Sequence, residues 1–191
     1  ALLLVLLDQL RADKRDGLDN AALVSGYRGS PRGGVDALML GNSEELEANS
    51  ISFMPGLNED LGATAVWGSQ LANRNFEGKY DGVLGMWYGK APGVDRSGDA
   101  IRHANVCGVD PKGGVLLVAG DDPASKSSTL ASESEFALLH FQTPILYPGS
   151  VQEVCDFGRI GFELSRYSGL WSALKIVTNV ADGYSTIKVG P

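Results

Sequence analysis

At 191 residues, with 43% hydrophobic and 20% charged positions, the chain can build one domain with a true core and is too apolar to stay unfolded. A net charge of −7, with no basic stripe interleaved with aromatics, argues against a nucleic-acid partner. The apolar opening, residues 1–7, falls far short of the roughly 20 residues a membrane span needs and meets Asp8 and Arg11 at once, so neither a span nor a leader is expected. Cys107 and Cys155 have no metal-ligand spacing, so buried, reduced thiols in a soluble cytoplasmic protein are expected. The chain begins at Ala1 without an initiator methionine and stops at Gly190-Pro191, which reads as one domain, residues 1–191, cut from a longer protein.

Taken in order, residues 2–14 carry apolar positions with polar ones along one side and predict a helix that ends before Gly17. Residues 21–25 form a short apolar strand that stops at Gly26-Tyr27-Arg28-Gly29-Ser30-Pro31, and a helix over 34–40 completes a β-loop-α unit. That loop turns tightly and presents Arg28 and Ser30 at the carboxyl end of the strand. Its bland alternative is a surface turn with one solvated arginine. Residues 51–54 form the next strand, Pro55-Gly56 ends it, and Asn58 is placed to cap a helix that starts on Glu59.

Glu59 therefore stands at a strand-to-helix corner, where ligands meet the sheet in α/β domains, although first-turn acids commonly do no more than offset the helix dipole. The helix behind it has a face of small residues, Gly62, Ala63, Thr64, Ala65, Gly68 and Ser69, which calls for something close against it: a cofactor, a strand or another subunit.

Residues 81–87 predict a further strand that opens into a Gly/Pro-rich loop, Trp87-Tyr88-Gly89-Lys90-Ala91-Pro92-Gly93-Val94-Asp95-Arg96, read as a ligand-facing surface or as a loop fixed by an Asp95/Arg96 pair. A short helix over 99–106 carries His103. With no metal-ligand spacing nearby, His103 and His140 read as ordinary, partly buried histidines, and no metal site is expected on this chain.

The clearest strand, 114–119, is apolar on both faces, as a central parallel strand should be. It runs into Gly120-Asp121-Asp122-Pro123-Ala124-Ser125-Lys126-Ser127, close to a phosphate-binding P-loop but with Ser125 in place of the last glycine and two acids where phosphates would lie. Helices over 132–141 and 150–166 and strands over 145–147 and 174–178 finish the chain. The alternation predicts an α/β fold, a doubly wound, mostly parallel sheet with helices on both faces.

Read together, Gly26-Tyr27-Arg28-Gly29-Ser30-Pro31, Asn58-Glu59-Asp60-Leu61-Gly62-Ala63-Thr64-Ala65-Val66-Trp67-Gly68 and Gly85-Met86-Trp87-Tyr88-Gly89-Lys90 resemble the indolepyruvate ferredoxin oxidoreductase family, most specifically its long, fused form. Gly93-Val94-Asp95-Arg96-Ser97-Gly98-Asp99, residues 120–128 and Ser165-Arg166-Tyr167-Ser168-Gly169-Leu170-Trp171 continue the likeness in the same order over nearly all the chain.

The resemblance implies the pyrimidine-binding domain of a thiamine diphosphate enzyme, in the thiamin diphosphate-binding fold. It implies oxidative decarboxylation of arylpyruvates such as indolepyruvate, transfer of the acyl group to coenzyme A, and passage of electrons through iron-sulfur clusters to ferredoxin. Glu59 takes from it the part of the catalytic glutamate that hydrogen-bonds the aminopyrimidine ring. Gly26, Tyr27, Arg28, Gly29, Ser30, Pro31 and Asn58 would line the cofactor, and Arg28, Ser30, Trp87 and Lys90 would face substrate.

There is no Gly-Asp-Gly segment followed by asparagine and no cysteine cluster. The resemblance thus leaves Mg2+, the diphosphate and the [4Fe-4S] clusters to other domains, with a diphosphate-binding domain as partner, a homo-oligomer when intact, and an inactive piece in isolation. Two competing readings are an interaction or dimerisation domain of the same fold without chemistry, and nucleotide binding at 120–129.

Overall fold

The computed structural model describes residues 1–29, 34–75 and 77–189. The chain opens with α1 (Leu2–Arg15), β1 (Ala21–Gly26), α2 (Gly34–Gly41), α3 (Ser43–Ala48) and β2 (Ile51–Phe53). It continues through α4 (Glu59–Ser69), α5 (Ala72–Asn75), β3 (Val83–Lys90), α6 (Ala91–Arg96), α7 (Gly98–Cys107) and β4 (Val115–Asp121). It closes with α8 (Glu135–His140), β5 (Ile145–Leu146), α9 (Val151–Ser168), β6 (Ser172–Val177) and α10 (Thr178–Ala181). Among the described residues no helix is long and apolar enough to cross a membrane.

The strands form one sheet in the order β2-β1-β3-β4-β6-β5, and every neighbouring pair is parallel. All seven residues of β4 are buried, because helices cover both faces of a central parallel strand. One face carries α1, α2, α3 and α9: Leu6, Met39, Leu46 and Phe162 pack with Val24, Met86 and Leu116. The other carries α4, α6, α7 and α8, where Val66, Val94, Ile101 and Leu138 pack with Trp87, Leu117 and Ala173. This is the doubly wound α/β fold that the alternation of elements predicts.

Helix α1 has the packing role its periodicity suggests. Its Val5 fills the space left by Gly158 of α9, where an added Cβ would stand 2.6 Å from Val5 Cγ2. At the far end of the same pair, Asp13 and Arg166 form a nearly buried bidentate ion pair, 2.8 Å and 2.7 Å. Helix α9 is capped by Ser150 and ends at Gly169 in the left-handed conformation, φ +75°.

Three expectations change. Strand β3 does not open into a loop at Trp87: Tyr88 pairs with Gly26, Gly89 with Ala119 and Lys90 with Gly120, extending the strand to Lys90. Gly89 is not a turn signal. It makes room for the Trp87 ring, which a Cβ there would meet at 2.5 Å. Residues 91–96 then form α6, begun by Pro92 in its first turn, and adjacent residues on a helix do not face each other, so Asp95 and Arg96 make no ion pair. Finally α8 starts at Glu135 and not at 132, because Ser132 is held in an antiparallel bridge to Asp122.

Candidate functional site at the ends of strands β1 and β3

Connections from β1 pass to the α2 face of the sheet, whereas those from β3 pass to the α6 face, so a crevice opens between the carboxyl ends of these neighbouring strands. In open α/β sheets such reversal points are where ligands bind. Gly26 and Tyr27 lie on one side of it, and Lys90 ends the strand on the other.

Helix α4 is driven onto this crevice by glycines. A Cβ on Gly62 would lie 2.9 Å from Gly26 Cα, one on Gly56 would lie 3.1 Å from Gly26 O, and one on Gly26 would lie 2.1 Å from Tyr88 O. Backbone therefore packs on backbone. Gly56 N–H donates to Gly26 O at 2.8 Å, Tyr27 N–H to Tyr88 O at 3.1 Å, and the Ser25 hydroxyl to Met54 O at 2.6 Å. Asn58 caps α4 as its sequence predicts, accepting from the Leu61 amide at 2.8 Å. The small-residue face of α4 is thus divided. Gly62 and Ala63 are buried against this chain's own sheet, while Thr64 and Gly68 remain exposed.

Glu59 is the first residue of α4 and is half-buried. Its main-chain oxygen accepts from Trp87 Nε1 at 3.0 Å, and its side chain runs along Gly93 of α6. Among the described residues, its carboxylate takes no hydrogen bond or ion pair. An acceptor with no cation beside it among the described residues, set at the crevice, suits a ligand that offers an N–H or a shared proton.

The other expected site residues separate into groups. Gly26, Tyr27, Gly29, Asn58 and Glu59 do come together at the crevice. Arg28 is exposed and makes no ion pair or hydrogen bond among the described residues. Lys90 is half-buried, its stem 2.9 Å from where a Gly29 Cβ would be. Ser30 and Pro31 lie outside the described residues. Trp87 is fully buried, so it offers no surface to a substrate and serves instead to hold Glu59. Gly56, Gly62 and Gly93 also form part of the site: Gly62 belongs to the small-residue face and Gly93 to the stretch read as ligand-facing, whereas Gly56 reads only as ending a strand.

The P-loop-like segment has no phosphate cradle. Gly120 and Asp121 belong to β4, no helix starts at Lys126, and the Asp122 carboxylate already occupies the Lys126 and Ser127 amides at 2.9 Å and 2.8 Å. The Lys126 ammonium pairs with Asp182 at 2.7 Å. Amides that a phosphate would need are satisfied by an anion of the chain itself.

The histidines are also corrected: both are exposed, with His103 stacked on Trp67 and 3.5 Å from Asp99. Cys155 is buried as expected, but Cys107 is exposed at the end of α7. Burial raises the Cys155 thiol pKa above its ordinary value. Among the described residues, no group of three or more His, Cys, Asp or Glu side chains could hold a metal ion.

No family model matches the chain. Curated relatives do. The indolepyruvate oxidoreductase subunit IorA of Archaeoglobus fulgidus is 30% identical over 82 residues, 43% of this chain and 13% of that protein. The IorA subunit of Methanothermobacter thermautotrophicus is 28% identical over 109 residues, 57% of this chain and 17% of the relative. That of Pyrococcus horikoshii is 29% identical over 97 residues, 51% and 15%. This chain carries a region related to indolepyruvate ferredoxin oxidoreductase. The indolepyruvate oxidoreductase likeness covers about half of the chain, and the matched stretch spans less than a fifth of the length of these relatives.

Proposed function

We propose that this chain is the pyrimidine-binding domain of a thiamine diphosphate-dependent arylpyruvate:ferredoxin oxidoreductase, with Glu59 as the acid that engages the aminopyrimidine ring. The observation that carries the reading is the Glu59 carboxylate, half-buried and unpaired among the described residues at the β1/β3 crevice, in a chain related to indolepyruvate oxidoreductase subunits. When bound, thiamine diphosphate supplies the carbon nucleophile that a 2-oxoacid decarboxylation requires.

This chain's part is positional and protonic. The Glu59 carboxyl group would share one proton with a weakly basic ring nitrogen; the Asn58 cap and the Trp87 Nε1 bond hold the start of α4 in place for it. Main chain at Gly26, Tyr27 and Gly29 would border the ring, and Lys90 and Arg28 would offer positive charge to a substrate carboxylate.

The crevice is open on its outer side. Met54, Leu57 and Leu61, on the connection from β2 and the first turn of α4, are exposed, Leu57 by 87%. By contrast, a half-open, mainly apolar hollow of about 260 Å³ lies on the other face, lined by Leu2, Val35, Leu38, Val154 and Val180, away from Glu59. A half-built site suits a partner that closes it. A diphosphate-binding domain of the same or another chain would bring Mg2+ and the diphosphate, and further domains the [4Fe-4S] clusters, coenzyme A and the ferredoxin contact, in a cytoplasmic homo-oligomer.

The test uses the intact protein, assayed for ferredoxin reduction with indolepyruvate and coenzyme A. Glu59→Gln should lower turnover by roughly 100-fold or more, while removing a first-turn acid costs stability of at most about 1 kcal/mol. Wild-type turnover in Glu59→Gln would overturn the reading.

A further inference from the structure

A carboxylate that must meet a ring nitrogen acts only if it is aimed, and two neighbours fix where Glu59 points. Its main chain is held from below by Trp87 Nε1 at 3.0 Å and from its own helix by Asn58, which accepts from Leu61 N at 2.8 Å and from Gly62 N at 3.1 Å. Gly62 in turn abuts Gly26, so the first turn of α4 cannot shift toward the sheet. On the other side stands α6, anchored by buried Ala91 and Val94. Between these two fixed backbones the Glu59 side chain passes over Gly93. A Cβ there would lie 2.6 Å from Glu59 Cγ, 3.3 Å from Cδ and 3.2 Å from Oε1.

Nothing in the backbone asks for glycine at this place. Gly93 lies inside a helix, its φ is not among the left-handed values, and alanine is the better helix former. The atom in the way is the stem of the side chain and not its free end, so a methyl group at 93 forces Glu59 into another rotamer and moves its carboxylate.

We propose that Gly93 is the positioning residue for Glu59, kept free of a side chain so that the carboxylate lies along α6 toward the crevice, with Trp87 anchoring the main chain beneath. The inference rests on the reading of Glu59 given above.

The experiment measures deuterium exchange at C2 of thiamine diphosphate bound to the intact protein, by proton NMR after acid quench, together with the melting temperature and the affinity for thiamine diphosphate. This exchange needs neither substrate nor ferredoxin. Glu59→Gln sets the scale. Gly93→Ala is expected to fold with an unchanged or raised melting temperature and to slow exchange by about 10- to 100-fold, as a misplacement near 1 Å does.

Exchange at the wild-type rate in folded Gly93→Ala, with Glu59→Gln slowed, overturns the positioning role and leaves the Glu59 reading in place. Wild-type exchange in Glu59→Gln overturns the Glu59 reading itself. Should Gly93→Ala fail to fold, Trp87→Phe decides: it removes the donor to Glu59 O while keeping a ring, and slowed exchange in the folded variant supports the anchored geometry, whereas wild-type exchange overturns it.

Discussion

Two glycines on one short helix have opposite consequences: Gly62 and Gly68 are six residues apart, about 9 Å along the axis at about 1.5 Å each. Gly62 meets the main chain of β1, where a Cβ would lie 2.9 Å from Gly26 Cα and 3.0 Å from Gly26 N, whereas Gly68 has nothing within 4 Å. Backbone cannot yield as a flexible side chain can. Gly62→Ala should therefore destabilise by about 1–2 kcal/mol despite the better helix propensity, and Gly68→Ala should stabilise by about 0.5–1 kcal/mol. Urea unfolding of both variants checks the pair, and equal signs would contradict the packing described. Residue types alone do not carry this distinction, since both glycines belong to the same small-residue face of the sequence; register against β1 separates them.

At the scale of elements, most of the order was legible because hydrophobic periodicity and caps carry it: α1, α4 with its Asn58 cap, β4 and α9 fall close to their predicted places. Misreadings gathered where glycine and proline do something other than turn the chain. Gly89 accommodates Trp87 inside β3, and Pro92 opens α6. The segment 120–134 misled for another reason: spacing alone does not reveal that Asp122 takes the amides a phosphate would need.

That capture has a pH consequence. The Ser127 amide, followed by the Lys126 amide and the Thr178 hydroxyl, lowers the Asp122 carboxyl to about 2, against an unfolded value near 3.9. A depressed folded pKa contributes stability that is present above about pH 4 and lost as pH falls toward 2. Melting temperatures followed from pH 7 down to pH 2.5 should show Asp122→Asn with a flatter acid limb than the wild type and lower stability near neutrality. Parallel curves would contradict the loop geometry.

At the scale of the whole molecule, the doubly wound sheet brings residues from three separate stretches, Gly26, Glu59 and the Lys90–Gly93 run, to one end of two neighbouring strands. The position of Glu59 at a strand-to-helix corner could be read from the chain, but its support by Trp87 and Gly93 could not, since both lay in a stretch read as a loop. An open crevice with an acid that is unpaired among the described residues gives the fold a use that the packing of α4 alone does not require. The most direct measurement is a structure of the intact protein with thiamine diphosphate bound. A Glu59 carboxylate oxygen is expected within about 3 Å of a ring nitrogen of the aminopyrimidine, in the crevice between β1 and β3. An aminopyrimidine ring bound elsewhere, with Glu59 left facing solvent, would contradict it.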